Sequence, residues 1–271
     1  MVKLDLSVIQ DAFTFPFRRA GAVLRLGLFP VLILLTAAHV LFSLSLPFAD
    51  ELPIPSRLTA ALYTVPMLLA GLVATSIPAV GIYRLILRGE EPGWVIFRLG
   101  RYERAHVMAM GMFLLLAVLA QFLFTGISWL AELAHAARFG FAPVIGIAFA
   151  ALSVAVLAAS LLVFMRLVLA LPHAAVTGEL SLNAPLNAVD CNLRRFASAF
   201  VLVTGIAAVS CVMIAVPVMI LGMFAGNAVA PDYGPWFFPL RTMLLMPALL
   251  LILTMLSALM AYAYSTLVEA R

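Results

Sequence analysis

The side chains able to do chemistry in this chain of 271 residues are few, and most sit at the edges of apolar runs. The metal-ligating and nucleophilic types are four histidines (His39, His106, His135 and His173) and two cysteines, Cys191 and Cys211. Glu132 and His135 stand three apart, so a helix would put them on one face, which is half of a metal site. No second histidine or carboxylate cluster accompanies them, and no metal is expected. The two cysteines are twenty positions apart, one in a polar loop and one inside an apolar run. That spacing suits neither a disulfide framework nor a zinc site, so both read as ordinary thiols. His39 and Gln121 are the strongly polar side chains deep within apolar runs. Such residues are the first functional flags in a membrane, although a hydrogen bond to a neighbouring helix is their plainer use. His106 and His173 lie near basic segments without obvious partners.

No phosphate-binding glycine loop, nucleophile elbow, zinc-protease motif or pair of catalytic carboxylates occurs, and no Asp or Glu lies near the middle of an apolar run. The sequence therefore assigns no catalytic residue and no cofactor. It speaks against an enzyme and against proton-coupled transport, which usually places a carboxylate at the midplane.

The elements that must hold these residues follow from composition. Hydrophobic residues make up 65% of the chain and charged residues 10%, against about 45–50% and 25% in soluble domains. A water-soluble fold cannot hide so much apolar surface, so lipid must be the solvent. The net charge of +4 is dispersed among apolar segments and gives no nucleic-acid footprint.

A spanning helix needs about 20 apolar residues to cross a ~30 Å hydrocarbon layer. Runs free of Lys, Arg, Asp and Glu occur at Leu26–Ala49, Leu58–Tyr83, Ala105–Ala131, Phe139–Met165, Phe196–Pro231 and Thr242–Val268. These predict an all-α polytopic bundle forming one integral membrane domain, residues 1–271, with six spans near 22–46, 58–83, 107–131, 142–165, 197–223 and 242–268. Residues 1–21 mix Asp5, Asp11, Arg18 and Arg19 with apolar residues and do not read as a cleaved signal peptide. The segment Leu167–Gly178 is too short to span and reads as an extension of span four or an interfacial piece. Gly226, Pro231, Gly234, Pro235 and Pro239 predict a loop carrying Trp236, Phe237 and Phe238 along the outer surface.

Thirteen of the sixteen Lys and Arg residues fall on one side of this layout; only Arg57, Arg138 and Arg241 fall on the other. The positive-inside rule then places both termini in the cytoplasm, and a bacterial inner membrane is the expected location. The cytoplasmic segments before spans one, three and five share a design: each is amphipathic and basic, predicting interfacial helices near 5–20, 93–104 and 182–195. The first carries Leu6, Ile9, Phe13, Phe17 and Ala20 at helical spacing, and the third Leu182, Leu186, Val189, Leu193 and Phe196. In the third, Ser181 is placed to cap the helix. Arg18, Arg19, Arg98, Arg101, Arg104, Arg194 and Arg195 line these segments and form a candidate surface for lipid headgroups or an acidic partner. Their plainer role is to fix topology. Small-residue stripes at Met67, Gly71, Ala74, Pro78 and Gly81, and at Thr204, Ala208, Cys211, Ala215, Val218, Gly222 and Gly226, are expected to face other helices.

The run from QDAFTFPFRRAGAVLRLGLFP through RLILRGEEP to RLVLALPHAAVTGELSLNAPLNAV resembles a group of bacterial six-span inner-membrane proteins without an assigned activity. These are similar to the membrane domain attached to some glycerophosphodiester phosphodiesterases. The resemblance covers most of the chain but includes no phosphodiesterase catalytic domain. It implies a six-helix membrane module and transfers no functional residue. The functional expectation is a non-enzymatic integral membrane module that binds membrane lipids or partner membrane proteins through a basic cytoplasmic surface. The alternative is a permease for an apolar or zwitterionic small solute, motivated by kinking prolines and by His39 and Gln121.

Overall fold

A computed structural model describes residues 7–28, 30, 32, 56–92, 100–136, 142–190, 192–228 and 234–269. Among them all regular structure is helical. In chain order the helices are α1 (Ser7–Arg18), α2 (residues 20–28), α3 (Ser56–Arg88), α4 (Arg101–Ala136), α5 (Ala142–Leu167), α6 (Ala170–Thr177), α7 (Asn183–Asp190), α8 (Leu193–Ala228) and α9 (Gly234–Tyr264), the last ending in a π-helical turn, Ser265–Glu269. Five stretches are long and apolar enough to cross a membrane: Gly71–Arg88, Arg101–Ile127, Gly146–Thr177, Leu193–Ser210 and Ala248–Val268. The fold is an all-α polytopic bundle. The expected first span, near 22–46, lies for the most part outside the described residues.

The protein core gathers around α9, which packs on α8, α1 and α3, while α4 packs on α5, α6 and α3. Its floor is made of Phe196, Ala199, Val203, Ala207, Met255, Ala258 and Leu259, all at or near zero exposure. Small residues allow the close approach. A Cβ added at Gly81 would meet a Leu26 methyl at 2.3 Å, so glycine lets α2 lie directly on α3. The span-two stripe thus packs within the chain, with Ala74 and Pro78 buried. Of the span-five stripe, Thr204 and Ala208 are exposed, and in this part of α8 the buried row is Phe196, Ala199, Val203 and Ala207.

On the first amphipathic segment Phe13 and Phe17 of the expected stripe are 39% and 64% exposed, as a face turned to lipid would be. The row that packs on protein is Val8, Ala12 and Phe15. This helix is apolar on two sides because it has two apolar neighbours, the bundle and the bilayer. Three other expectations are corrected. The third amphipathic segment is not continuous but split into α7 and α8. The Asn192 carbonyl accepts the Phe196 N–H at 2.9 Å, placing an asparagine at the N-cap of α8, where that residue is favoured. At the start of α7 the Leu182 carbonyl takes the first helical bond, from the Leu186 N–H at 3.0 Å, so the cap falls one residue beyond Ser181. Finally, residues 234–239 are the opening turns of α9 and not a loop. Pro235 is tolerated there because a first-turn residue needs no intrahelical N–H.

Residues 93–99, most of the interfacial helix expected near 93–104, lie outside the described part. Arg101 and Arg104 belong to the first turns of α4. The segment after span four is a separate helix. α6 is apolar nearly all round, and Ala170, Leu171, Pro172, Ala174, Ala175 and Val176 are buried among α3, α4 and α9. It stops at Gly178, whose φ of +74° is open to glycine at no steric cost and whose N–H donates to the Ala174 carbonyl.

Candidate functional site

The basic residues converge at one end of the bundle, where α1, α3, α4, α6 and α8 all begin or finish. The stop signals at this end are alike. α3 finishes at Gly89 with φ of +66°, and α6 at Gly178, and each glycine is followed by a glutamate. These carboxylates and that of Glu91 collect arginines, some local and some from distant parts of the chain. Glu90 pairs with Arg84 and, at 3.7 Å, with Arg88. Glu91 takes Arg19 at 2.9 Å, and Glu179 takes Arg101 at 2.6 Å. The Arg101 Nε also donates to the Gly178 carbonyl, and Arg88 donates to the Val176 carbonyl. Tyr102 lies beneath both Arg84 and Arg88, whose guanidinium carbons are 4.7 and 5.3 Å from its ring centre. Cation–π contact of this kind holds the cations without neutralising them.

The sequence-derived surface residues therefore divide. Arg19 and Arg101 are engaged by glutamates of the same chain. Arg18 is exposed and stands 3.8 Å from Asp11, too far for a hydrogen bond. Arg104 is exposed and donates to the Gly100 carbonyl at 3.4 Å. Arg194 and Arg195 are exposed in the first turn of α8. Arg98 and His39 lie outside the described residues. Gln121 is exposed, and its amide donates to Thr125 on its own helix at 3.4 Å, not to another helix. Among the described residues no group of three or more His, Cys, Asp or Glu converges as a metal site.

Two histidines are placed unlike the sequence suggests. His173 shares a 2.8 Å hydrogen bond through Nδ1 with the Tyr264 hydroxyl, tying α6 to α9. His106 is not at the surface: it is 1% exposed, its ring 5.6 Å from that of Tyr83, and neither ring nitrogen has a hydrogen-bond partner among the described residues.

Two concavities flank this end. One, of about 360 Å³, lies between α1, α3 and α9; Asp11, Arg18, Arg19 and Tyr262 supply its polar wall, and Phe15, Leu85 and Ile86 its apolar one. The other, of about 700 Å³, is an almost wholly apolar cleft between α4 and α5, running along Phe113, Ala117, Gln121, Leu157 and Phe164. Edge-to-face contacts of Phe164 with Phe113 and Phe200 close its basic end.

Sequence reasoning missed Glu90, Glu91, Glu179 and Tyr102 as partners. The available signal was the Gly-Glu pair repeated at Gly89-Glu90 and Gly178-Glu179. No family model matches this chain, and no curated protein or solved structure matches it either.

Proposed function

We propose that this chain is a non-enzymatic, six-span module of a bacterial inner membrane, with both termini cytoplasmic, that binds lipids through its arginine-rich end. The observation that carries this reading is the gathering of Arg18, Arg104, Arg194 and Arg195, all exposed, at an end where other arginines are already matched by glutamates. The glutamate pairs link segments far apart in the chain, Arg18 stands beside Asp11, and Arg104, Arg194 and Arg195 are the exposed cations on which the reading rests. Each cation near an anionic leaflet contributes about 1 kcal/mol.

The test replaces Arg104, Arg194 and Arg195 together with Gln in the full chain and quantifies by mass spectrometry the lipids retained in mild detergent. Retained anionic lipid is expected to fall by at least about tenfold, because three cations are removed. Unchanged retention would sink the reading. Partner membrane proteins recruited by the same surface would show in the same preparations as co-purifying chains sensitive to these substitutions.

The alternative, a permease for an apolar or zwitterionic solute, draws on the α4–α5 cleft, which Gln121 lines. Against it stands the packing of α3, α8 and α9, whose facing residues are close to zero exposure.

A further inference from the structure

We infer that the pocket between α1, α3 and α9 is a headgroup site for a zwitterionic phospholipid bearing a primary ammonium, of the phosphatidylethanolamine type. The inference rests on the lipid-binding reading above and narrows it to one site and one headgroup chemistry.

The pocket carries both signs of charge a few ångströms apart. Arg18 and Arg19 enter from the end of α1, and Asp11 stands two turns earlier on the same helix. The Arg18–Asp11 separation of 3.8 Å leaves the carboxylate and the guanidinium facing one another without a hydrogen bond. Arg19 is held by Glu91 through a single 2.9 Å contact, which fixes its position and leaves other guanidinium N–H donors to offer. Tyr262 completes the polar wall, its hydroxyl within the fields of Asp11, Arg18 and Arg19. Two guanidinium groups suit a phosphodiester, which they grip with paired donors. A carboxylate beside them suits an ammonium.

A purely anionic headgroup would meet Asp11, and a purely cationic one would meet two arginines. Only a group carrying both charges matches the wall throughout. A primary ammonium is favoured over a trimethylated one because it can donate hydrogen bonds to Asp11.

The rest of the pocket points to a lipid and not to a free phosphate ester. Phe15, Leu85 and Ile86 provide apolar surface where a glycerol backbone would lie. Its volume of about 360 Å³ is near the lower end for small-ligand sites, of order 300–1,000 Å³, and suits a headgroup alone.

The experiment uses the full chain in mild detergent, with phosphatidylethanolamine, phosphatidylglycerol and phosphatidylcholine of matched chains as probes. Bound lipid is counted by native mass spectrometry. The ratio is read in the full chain carrying Arg104→Gln, Arg194→Gln and Arg195→Gln, so that anionic lipid held by those arginines is not counted. Phosphatidylethanolamine is expected to be retained over the other two by about three- to tenfold, the range for charge-assisted bonds at a partly exposed site. Asp11→Asn should bring that preference close to unity without lowering phosphatidylglycerol retention. Arg18→Gln with Arg19→Gln should lower retention of all three, and Arg18→Lys with Arg19→Lys should restore part of it. A thermal melt of each variant checks that the bundle is intact, and a variant that fails to fold is replaced by Asp11→Glu, which keeps the charge and should keep the preference. Equal retention of phosphatidylglycerol and phosphatidylethanolamine in that background, or an unaltered ratio when Asp11→Asn is added to it, overturns the assignment. Displacement by an equimolar amount of soluble glycerophosphoethanolamine would overturn the lipid source. These readings are ratios between lipids, so they fail separately from the Arg104, Arg194 and Arg195 test, which reads total anionic lipid.

Discussion

The α3–α9 pair and the α4–α5 hairpin are made of the same kinds of residue and meet opposite surroundings. In their most span-like stretches, 50% of α3 and 61% of α9 are buried inside the protein, against 11% of α4 and none of α5. In water the most apolar helix would be driven to the centre. Here α5 is apolar along its whole length and still lies outermost, with Ile147, Val154 and Leu157 each more than 60% exposed. Lipid tails are as apolar as leucine, so hydrophobicity gives no reason to bury one helix before another; packing and polar satisfaction decide. Polar satisfaction does not separate the two regions, since Ser76 and Thr254, like Ser153 and Ser160 of α5, donate to carbonyls four residues back. The fully buried alanines at 258, 261 and 263 show tight contact along α9.

Three substitutions would break or sharpen this contrast, all measured as unfolding free energy in detergent or bicelles. Phe196→Ala removes a ring with no exposure at the foot of α8. It is expected to cost about 3 kcal/mol, the low end for a Phe→Ala cavity, since lipid competes with the core for apolar groups. A cost below half of that would mean the core is loosely packed. Gly178→Ala forces a Cβ into a left-handed backbone and within 3.0 Å of the Arg101 side chain. A loss of about 1–2 kcal/mol is expected, together with weakening of the Arg101–Glu179 pair; no loss would show that the α6 stop is not fixed by this glycine. Ile147→Ala, on the outer face of α5, should change stability by less than about 0.5 kcal/mol. A larger effect would place a protein neighbour, and not lipid, against that face.

How far each region could be read from the sequence follows the same divide. The existence of the long helices was legible, because long apolar runs are a local property; the starts of α8 and α9 were not. The use of each face was not. Phe13 and Phe17 form as good a stripe as Val8, Ala12 and Phe15, and only the position of α9 shows which one touches protein. Trp236 to Pro239 looked like a loop because proline and glycine mark breaks, yet a helix start accommodates both. For the candidate site, the arginines were visible as a group and their partners were not. Arg19 meets a glutamate 72 positions away and Arg101 one 78 positions away. The pocket at Asp11, Arg18 and Tyr262 likewise joins α1 to α9 across most of the chain.

By itself the sequence determined the solvent and the secondary structure. A backbone in lipid must satisfy its own hydrogen bonds, and about 20 apolar residues in a row can do so only as a helix. Tertiary structure alone decided which arginines meet distant glutamates and which remain exposed, which apolar faces meet protein, and where a carboxylate and two guanidinium groups share one pocket. Each of these depends on contacts between residues far apart in the chain, and no local pattern of apolar and charged positions encodes that distance.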